Sequence, residues 1–162
     1  RLLGGEGGVI TATNGGEIYL KPGVYDRLKA NAEAMKALRS AVSALPGVMR
    51  LLTADEVSSA EARSSKDRVI RAVALSFYPG RNGNLMVLPK ENWLLTATGT
   101  THGTLQSYDQ RVPVVLYGAG ILPGVRNEDA TPADLAVTMA WIVGVRLPSP
   151  DGRVLTSALK KR

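Results

Sequence analysis

The sequence predicts an α/β fold, because segments with helical spacing alternate with short apolar runs that are typical of strands. A length of 162 residues suffices for one domain with a buried core. With 44% hydrophobic and 21% charged residues, the composition is that of a folded globular protein rather than a disordered one. No apolar run approaches the roughly 18 residues of a membrane-spanning helix, and no signal peptide is visible.

The first third of the chain predicts a strand, a long helix and a second strand. Six glycines among the first 16 residues indicate a flexible entry, after which residues 18–20 have the pattern of a short strand. Apolar residues recur at spacings of three, four or seven from Val24 to Leu45, which predicts one helix ending at a Pro-Gly pair. The run VMRLLT, residues 48–53, then predicts a strand.

The middle of the chain predicts a short helix followed by a β-hairpin. Thr53 and Glu56 have the spacing of a capping box, which marks a helix start. Residues 69–78 alternate between two largely apolar faces, which predicts a strand covered on both sides. The sequence PGRNGN predicts a tight turn, and LMVLP at residues 85–89 predicts a return strand beside the first.

The last third predicts one more buried strand and one well-delimited helix. The run VPVVLYGAGI, residues 112–121, is apolar and ends in glycines, as a buried strand does. Thr131 suits the N-cap of the helix and Pro132 its first position, while Gly144 marks its end. Asp134 lies in the first turn and is interpreted as a helix-end carboxylate. The spacing predicts that the buried face of this helix consists of Leu135, Met139, Ile142 and Val143.

Charge and residue content argue against several classes of function. The formal net charge of +6 favours phosphate-bearing ligands, but the basic residues are scattered and KKR closes the chain as a solvated tail. Aromatic residues, at 5%, are too few for the stacking platforms of single-strand binders, and no nucleic-acid module accompanies the charge. The absence of cysteine excludes disulfides and thiolate metal sites. Nucleic acid is therefore not expected as a partner.

His102 is the single histidine of the chain and the main candidate for chemistry. By itself, a lone loop histidine is more often exposed or structural than functional. A zinc site needs three or four ligands, so carboxylates such as Asp109, Asp129 or Asp134 would have to complete one. A Ser-His-Asp triad is formally open, but the sequence has no GxSxG elbow. The residues alone do not decide whether His102 is structural, a zinc ligand or part of a triad.

The segment GTTHGTLQSYDQRVPVVLYGAGILPG resembles the C-terminal signature of the alkaline phosphatase superfamily. The likeness is to the branch of phosphatases and phosphodiesterases with GTxHG, a tyrosine-aspartate pair and a VP-led strand. It extends downstream through TPADLAVTMAWIVGV and PDGRVL, and upstream to SFYPGRNGNLMVL, so that it covers residues 76–159. It implies an alkaline-phosphatase-like core sheet flanked by helices, of which only the C-terminal part is present.

The resemblance also implies roles for individual residues. By this resemblance His102 corresponds to a ligand of one of two zinc ions. Thr100, Thr101 or Asp109 are candidates for the hydrogen bond that fixes the tautomer of its ring. For Asp109, a hydrogen bond that caps the loop is the stronger expectation. No catalytic residue is expected in this chain, because the threonine or serine nucleophile and the other ligands of such proteins come from sequence ahead of this region. Residues 1–98 are interpreted as a connecting or cap-type region, and residues 99–162 as the C-terminal part of the core.

The function implied is that of a zinc-dependent phosphatase or phosphodiesterase that hydrolyses phosphate esters, with this chain alone inactive. Its partners would be the substrate and the missing N-terminal part of the same protein, in agreement with a sequence that starts at Arg1 rather than methionine. Relatives of this kind imply a periplasmic or secreted location. Two alternatives remain: a non-catalytic phosphate- or partner-binding remnant of the fold, and a small nucleic-acid-binding protein.

Overall fold

The structure is a computed structural model that describes residues 8–96 and 99–160. The chain divides into two compact units, the first ending at Arg111 and the second beginning at Val112. The sequence-based division into a connecting region (1–98) and a core part (99–162) is a division by function, and it stays a prediction. None of the helices among the described residues is long and apolar enough to cross a membrane.

The first unit is built around a four-stranded antiparallel sheet. Its spatial order is β1-β2-β4-β3, so the last strand in sequence lies between the second and the third. The strands are β1 (Ile10–Asn14), β2 (Glu17–Leu20), β3 (Val48–Thr53) and β4 (Leu85–Pro89). The helices of this unit are α1 (Val24–Ala30), α2 (Ala32–Ser43), α3 (Ala54–Val57), α4 (Ala60–Arg63), α5 (Arg68–Ser76) and α6 (Ser107–Gln110).

Apolar residues on both faces of the sheet carry the core of the first unit. Leu51 and Leu52 are neighbours on β3 and project to opposite faces, as the period of two in a strand requires. Leu51 packs with residues of α1 and α2, whereas Leu52 packs with Val57, Val73 and other residues of α3 to α5. The sheet is therefore covered on both sides, and the α/β fold class is confirmed.

Several local predictions for the first unit are confirmed. The strands predicted at residues 18–20, 48–53 and 85–89 are β2, β3 and β4. The capping box of Thr53 and Glu56 is formed at the start of α3. The single helix predicted from Val24 is instead divided into α1 and α2. It divides at Asn31, which has extended backbone angles and caps α2 by accepting a hydrogen bond from the Ala34 amide at 2.9 Å.

The strand predicted at residues 69–78 is wrong, because most of this segment forms α5. Asp67 caps the helix by accepting hydrogen bonds from the amides of Val69 (2.9 Å) and Ile70 (3.2 Å). Val73 and Phe77, four residues apart, then face the core, whereas Leu75 points outward and is 58% exposed. The predicted hairpin with residues 85–89 is wrong for the same reason; β4 pairs with β2 and β3.

In the second unit, helix α7 (Pro132–Ile142) starts as predicted, with Thr131 at the N-cap and Pro132 in the first turn. Asp134 completes a capping box by accepting from the Thr131 amide at 2.7 Å, so its interpretation as a helix-end carboxylate is confirmed. Beyond α7, a 3-10 turn (Thr156–Ala158) precedes a single antiparallel bridge between Ile121 and Leu159.

The predicted buried face of α7 is wrong in part. Met139 and Val143 are 52% and 68% exposed, whereas Asp134 and Thr138 are buried at 4% and 0% exposure. The face of α7 with Asp134 and Thr138 is buried because its polar side chains form hydrogen bonds with the segment that follows the helix. The Asp134 carboxylate accepts from the Arg153 amide at 2.8 Å, and the Thr138 hydroxyl accepts from the Leu155 amide at 3.0 Å. These bonds turn the polar side of the helix towards the following segment and leave apolar residues outside.

The buried strand predicted at residues 112–121 is also wrong in this structure. Residues 112–117 belong to no strand, and their backbone makes no hydrogen bond within the described part of the second unit. Val115 and Tyr117 are 83% and 101% exposed. An apolar run of this kind forms a buried strand only where a neighbouring strand supplies hydrogen bonds and a covering layer. Neither is present in the described residues of this unit.

Candidate metal-ligand loop and adjoining pocket

His102 lies in an exposed loop of the first unit, between β4 and α6. Gly99 and Gly103 bracket it with φ angles of +91° and +82°, in the left-handed region that glycine adopts without a Cβ clash. Two such glycines let the backbone turn sharply on both sides of the histidine. The imidazole is exposed. It is therefore open to an external ligand.

Asp109 fixes the far side of this loop. Its carboxylate accepts a hydrogen bond from the Thr104 amide at 2.5 Å. Hydrogen bonds from Thr104, with a smaller contribution from the charge of His102, hold the pKa of Asp109 below its usual value. The expected loop-capping hydrogen bond of Asp109 is thus present. The carboxylate is ionised at neutral pH and tied to the backbone.

The other candidate partners of the imidazole, Thr100 and Thr101, make no hydrogen bond to its ring in the described part of the chain. The Thr101 hydroxyl lies 3.5 Å from the carbonyl oxygen of His102, a long contact with the backbone rather than the ring. Thr100 is exposed. Within the described part of the chain, no hydrogen bond reaches the ring of His102. That Thr100, Thr101 or Asp109 orients the imidazole of His102 stays a prediction.

The metal ligands available nearby are few. Among residues 8–96 and 99–160, no group of three or more His, Cys, Asp or Glu side chains is placed to hold a metal ion. Two of the three carboxylates named with His102 in the sequence have other roles: Asp109 caps the loop and Asp134 caps α7. Within the described residues, His102 therefore lacks the further ligands that a zinc site requires.

Contacts with helix α5 and strand β4 hold the segment after His102 in place. Arg68 donates hydrogen bonds to the Leu105 carbonyl at 3.0 Å and to the Gln110 amide oxygen at 3.3 Å. Leu105 packs against the core cluster that includes Val73 and Phe77. The histidine loop is thus anchored on one side by an apolar side chain and a guanidinium group.

A pocket of about 250 Å³ opens beside the loop. Its floor is formed by core residues of α5 and β4, among them Val73, Phe77 and Met86. Its rim carries three exposed apolar side chains, Trp93, Leu94 and Leu95, as well as exposed loop residues. Besides His102, the loop contributes Thr101, Gly103, Thr104 and Leu105 to the lining. Sequence analysis missed this pocket, because its residues come from separate elements with no shared spacing.

Two glycines fix the rim of the pocket. A Cβ added at Gly47, where φ is +81°, would lie 2.1 Å from Cε3 of Trp93, so the indole ring rests directly on this glycine. A Cβ added at Gly16 would lie 2.7 Å from Cδ1 of Leu95 and 2.5 Å from the Val87 carbonyl oxygen. The segment that contains Trp93 and Leu95 is held against the sheet by these close approaches.

Comparison with curated proteins finds relatives that bear the name alkaline phosphatase. The chain is 25% identical over 134 residues to alkaline phosphatase PhoV of Synechococcus elongatus, covering 82% of this chain and 24% of that protein. It is 30% identical over 107 residues to alkaline phosphatase PafA of Elizabethkingia meningoseptica, covering 64% and 19%. It is 28% identical over 130 residues to a protein of Myroides odoratus named calcium-transporting ATPase, covering 77% and 24%.

Comparison with solved structures finds a similar fold. The fold matches the crystal structure of wild-type alkaline phosphatase PafA with a TM-score of 0.70 at 23% identity, over 94% of this chain and 29% of that one. The chain is related to the alkaline phosphatase superfamily. It spans 24% of the length of the curated relative PhoV and 19% of the length of PafA. No protein-family model matches the sequence.

Proposed function

We propose that this chain is a C-terminal part of a zinc-dependent phosphatase or phosphodiesterase and supplies His102 as one metal ligand. The observation that carries the proposal is the placement of the single histidine of the chain. It lies exposed in a GTTHG loop with glycine turns on both sides. The kinship with proteins named alkaline phosphatase supports the reaction class, hydrolysis of phosphate esters.

The chemistry would be in-line attack on phosphorus at a site with two zinc ions. Bound zinc supplies activation of the nucleophile and stabilisation of the leaving oxygen. This chain would contribute the His102 imidazole in its neutral form, held by a loop that Asp109 braces through Thr104. The nucleophile and the remaining ligands would come from the longer protein, because the described residues hold no group of three or more His, Cys, Asp or Glu side chains placed to bind a metal ion.

The surface of the second unit supports dependence on additional protein. The apolar run at residues 112–117 has Val115 and Tyr117 exposed at 83% and 101%, and α7 exposes Met139 and Val143. Exposed apolar surface of this extent marks a site of further packing. We infer that residues 112–117 join a sheet supplied by the rest of the protein, which would act on phosphate esters in the periplasm or outside the cell.

The test measures hydrolysis of p-nitrophenyl phosphate and of its bis-ester with added zinc. The 162-residue chain is expected to show no turnover above its His102→Ala variant. In a longer protein that contains this chain, His102→Ala should lower kcat/KM by more than about 100-fold, since even outer-shell partners of metal ligands cost 10–100-fold. The control is Asn127→Ala, an exposed position outside the loop, which should leave the rate unchanged.

Two results would contradict the proposal. If the longer protein hydrolyses neither ester, or if His102→Ala leaves its rate unchanged, the metal-ligand role fails and the non-catalytic binding remnant becomes the better reading. If the 162-residue chain alone turns over substrate and binds two zinc ions tightly through His102, the dependence on a longer protein fails. A steep loss of nucleic-acid affinity with salt would instead support the basic-protein alternative.

A further inference from the structure

We propose that the pocket beside His102 receives the organic group of the phosphate ester, and that it selects a small neutral group of about one ring. The inference rests on the proposed function in one respect: a metal ion bound at His102 would place the phosphate at the pocket rim. Every lining residue lies in the first unit, so the pocket needs no contribution from elsewhere in the described chain.

The floor of the pocket is preformed and apolar. Val73, Phe77 and Met86 line it and are only 7%, 8% and 4% exposed, because they belong to the packed core between α5 and the sheet. Side chains in such a core are held in fixed rotamers by their neighbours. An entering apolar group would therefore find a rigid surface and would not have to order it.

The rim adds apolar side chains that gain from being covered. Trp93 and Leu95 are 48% and 43% exposed although Gly47 and Gly16 anchor them against the sheet. Anchoring matters because an immobilised indole loses little conformational entropy when a ligand packs on it. A ring that enters the pocket removes apolar surface from water on both partners, which is the main favourable contribution to binding of this type.

The volume of the pocket selects the size of the group. About 250 Å³ exceeds the roughly 150 Å³ of an engineered protein cavity that binds benzene. It lies below the roughly 300–1,000 Å³ that is typical of sites for drug-sized ligands. One aromatic ring or a short branched chain fits these limits.

The charges in the pocket select a neutral group. No lysine or arginine is among the described lining residues, so a second phosphate would find no cation there. The one acidic side chain of the lining, Glu17, has its carboxylate occupied by Tyr19 Oη at 2.5 Å, Asn82 Nδ2 at 2.5 Å and the Gly83 amide at 3.2 Å. It is therefore engaged within the protein rather than free to bind a cationic ligand.

The first experiment measures binding of a small aromatic ligand to the 162-residue chain, without any catalytic reaction. Phenol is titrated into the ¹⁵N-labelled protein, with glycerol as a polar probe of similar heavy-atom count. Phenol should shift the amide signals of Val73 and Phe77 and the indole signal of Trp93 in a saturable manner. Glycerol should bind at least about tenfold more weakly, the discrimination an apolar pocket achieves for small groups.

A pocket-filling variant and a matched control locate the binding. Ser76→Phe places a ring at a lining position on the exposed side of α5 and should abolish the phenol shifts. Leu75→Phe adds a ring at the neighbouring position, which is 58% exposed and outside the lining, and should preserve them. Absence of saturable phenol shifts in the unmodified chain, or their persistence in Ser76→Phe, would overturn the inference.

The second measurement separates the pocket from the proposed function. In the longer protein, Ser76→Phe should lower kcat/KM for phenyl phosphate relative to methyl phosphate by about tenfold or more, and Leu75→Phe should not. An unchanged ratio in Ser76→Phe overturns the pocket inference while the proposed function stands. Phenol binding without hydrolysis of either ester supports the pocket as a binding site and overturns the proposed function.

Discussion

Asp67 determines the conformation of the segment that follows it. Its carboxylate accepts hydrogen bonds from the amides of Val69 and Ile70, and it forms an ion pair with Arg50 of β3 at 2.6 Å. The amide contacts satisfy two of the donors that a helix leaves free at its start. The ion pair joins the start of α5 to the sheet. One side chain thus sets both the type of the element and its position.

Lowering the pH should weaken the first unit through Asp67. Hydrogen bonding from Arg50, followed by bonding from the Ile70 amide, holds the pKa of Asp67 below its usual value. Because the folded-state pKa lies below the unfolded value of about 3.9, the stabilisation is present above that pH. It is lost as the pH falls through the folded-state pKa. Urea unfolding between pH 6 and pH 2 should therefore show a loss of stability that is smaller in Asp67→Asn than in the unmodified chain.

Asp26→Asn provides the matched control, since the Asp26 side chain is 80% exposed and meets only Lys29, at 3.6 Å. Exposed pairs of this type contribute little to stability. This variant should keep the pH dependence of the unmodified chain. Equal slopes for the Asp67→Asn variant and the unmodified chain would show that the ion pair and cap do not act as described.

Residue-level features could be predicted from sequence where the interaction is local. The capping box of Thr53 and Glu56 lies within one helical turn, so spacing alone predicts it, and the N-cap at Thr131 is predicted by the residues next to it. The surroundings of His102 could not be predicted in the same way. The Arg68 bond to Leu105 and the pocket wall at Trp93 join residues far apart in sequence, and no local pattern encodes them.

At the scale of elements, α5 shows why an apolar segment can mislead. Its β-branched residues and its two largely apolar faces indicate a strand. The same residues placed on a helix bring Val69, Val73 and Phe77 together at intervals of four, with Leu75 left outside. Short apolar runs satisfy both periodicities, and here the N-cap at Asp67 and packing on the sheet favour the helix.

The junction between α7 and the segment after it depends on close backbone approach at Gly152. A Cβ added there would lie 2.4 Å from both the carbonyl carbon and the carbonyl oxygen of Ala133, at the start of the helix. Because backbone atoms cannot move aside cheaply, Gly152→Ala should lower the free energy of unfolding by about 1–3 kcal/mol, the usual cost of overpacking. Chemical denaturation monitored by circular dichroism measures this change.

Gly8→Ala is the control for that experiment, since a Cβ at Gly8 would have no atom within 4 Å. It should leave the free energy of unfolding within about 0.5 kcal/mol of the unmodified value. Amide exchange at Arg153 and Leu155 adds a local readout, because both amides donate to α7. Unchanged exchange in Gly152→Ala would mean that the helix start accommodates the added methyl group.

At the scale of the whole molecule, the second unit contains apolar residues that are not buried. Sequence reasoning assigns residues 112–121 to a buried strand, yet Val115 and Tyr117 remain exposed. An apolar run is still the pattern expected of a buried strand, but the pattern alone is not sufficient. A strand also needs hydrogen-bonding neighbours, and a chain spanning 24% of its relative PhoV does not have to contain them.

The exposed run should therefore make the isolated chain self-associate. An apolar segment with unpaired backbone groups is a template for pairing with another copy. Val115→Lys places a charge at a residue that is 83% exposed and should shift the chain towards the monomer in sedimentation velocity at micromolar concentrations. Asn127→Lys adds the same charge at an exposed polar position and should not. Association that both variants reduce equally would point to net charge; association that neither reduces would place the contact elsewhere.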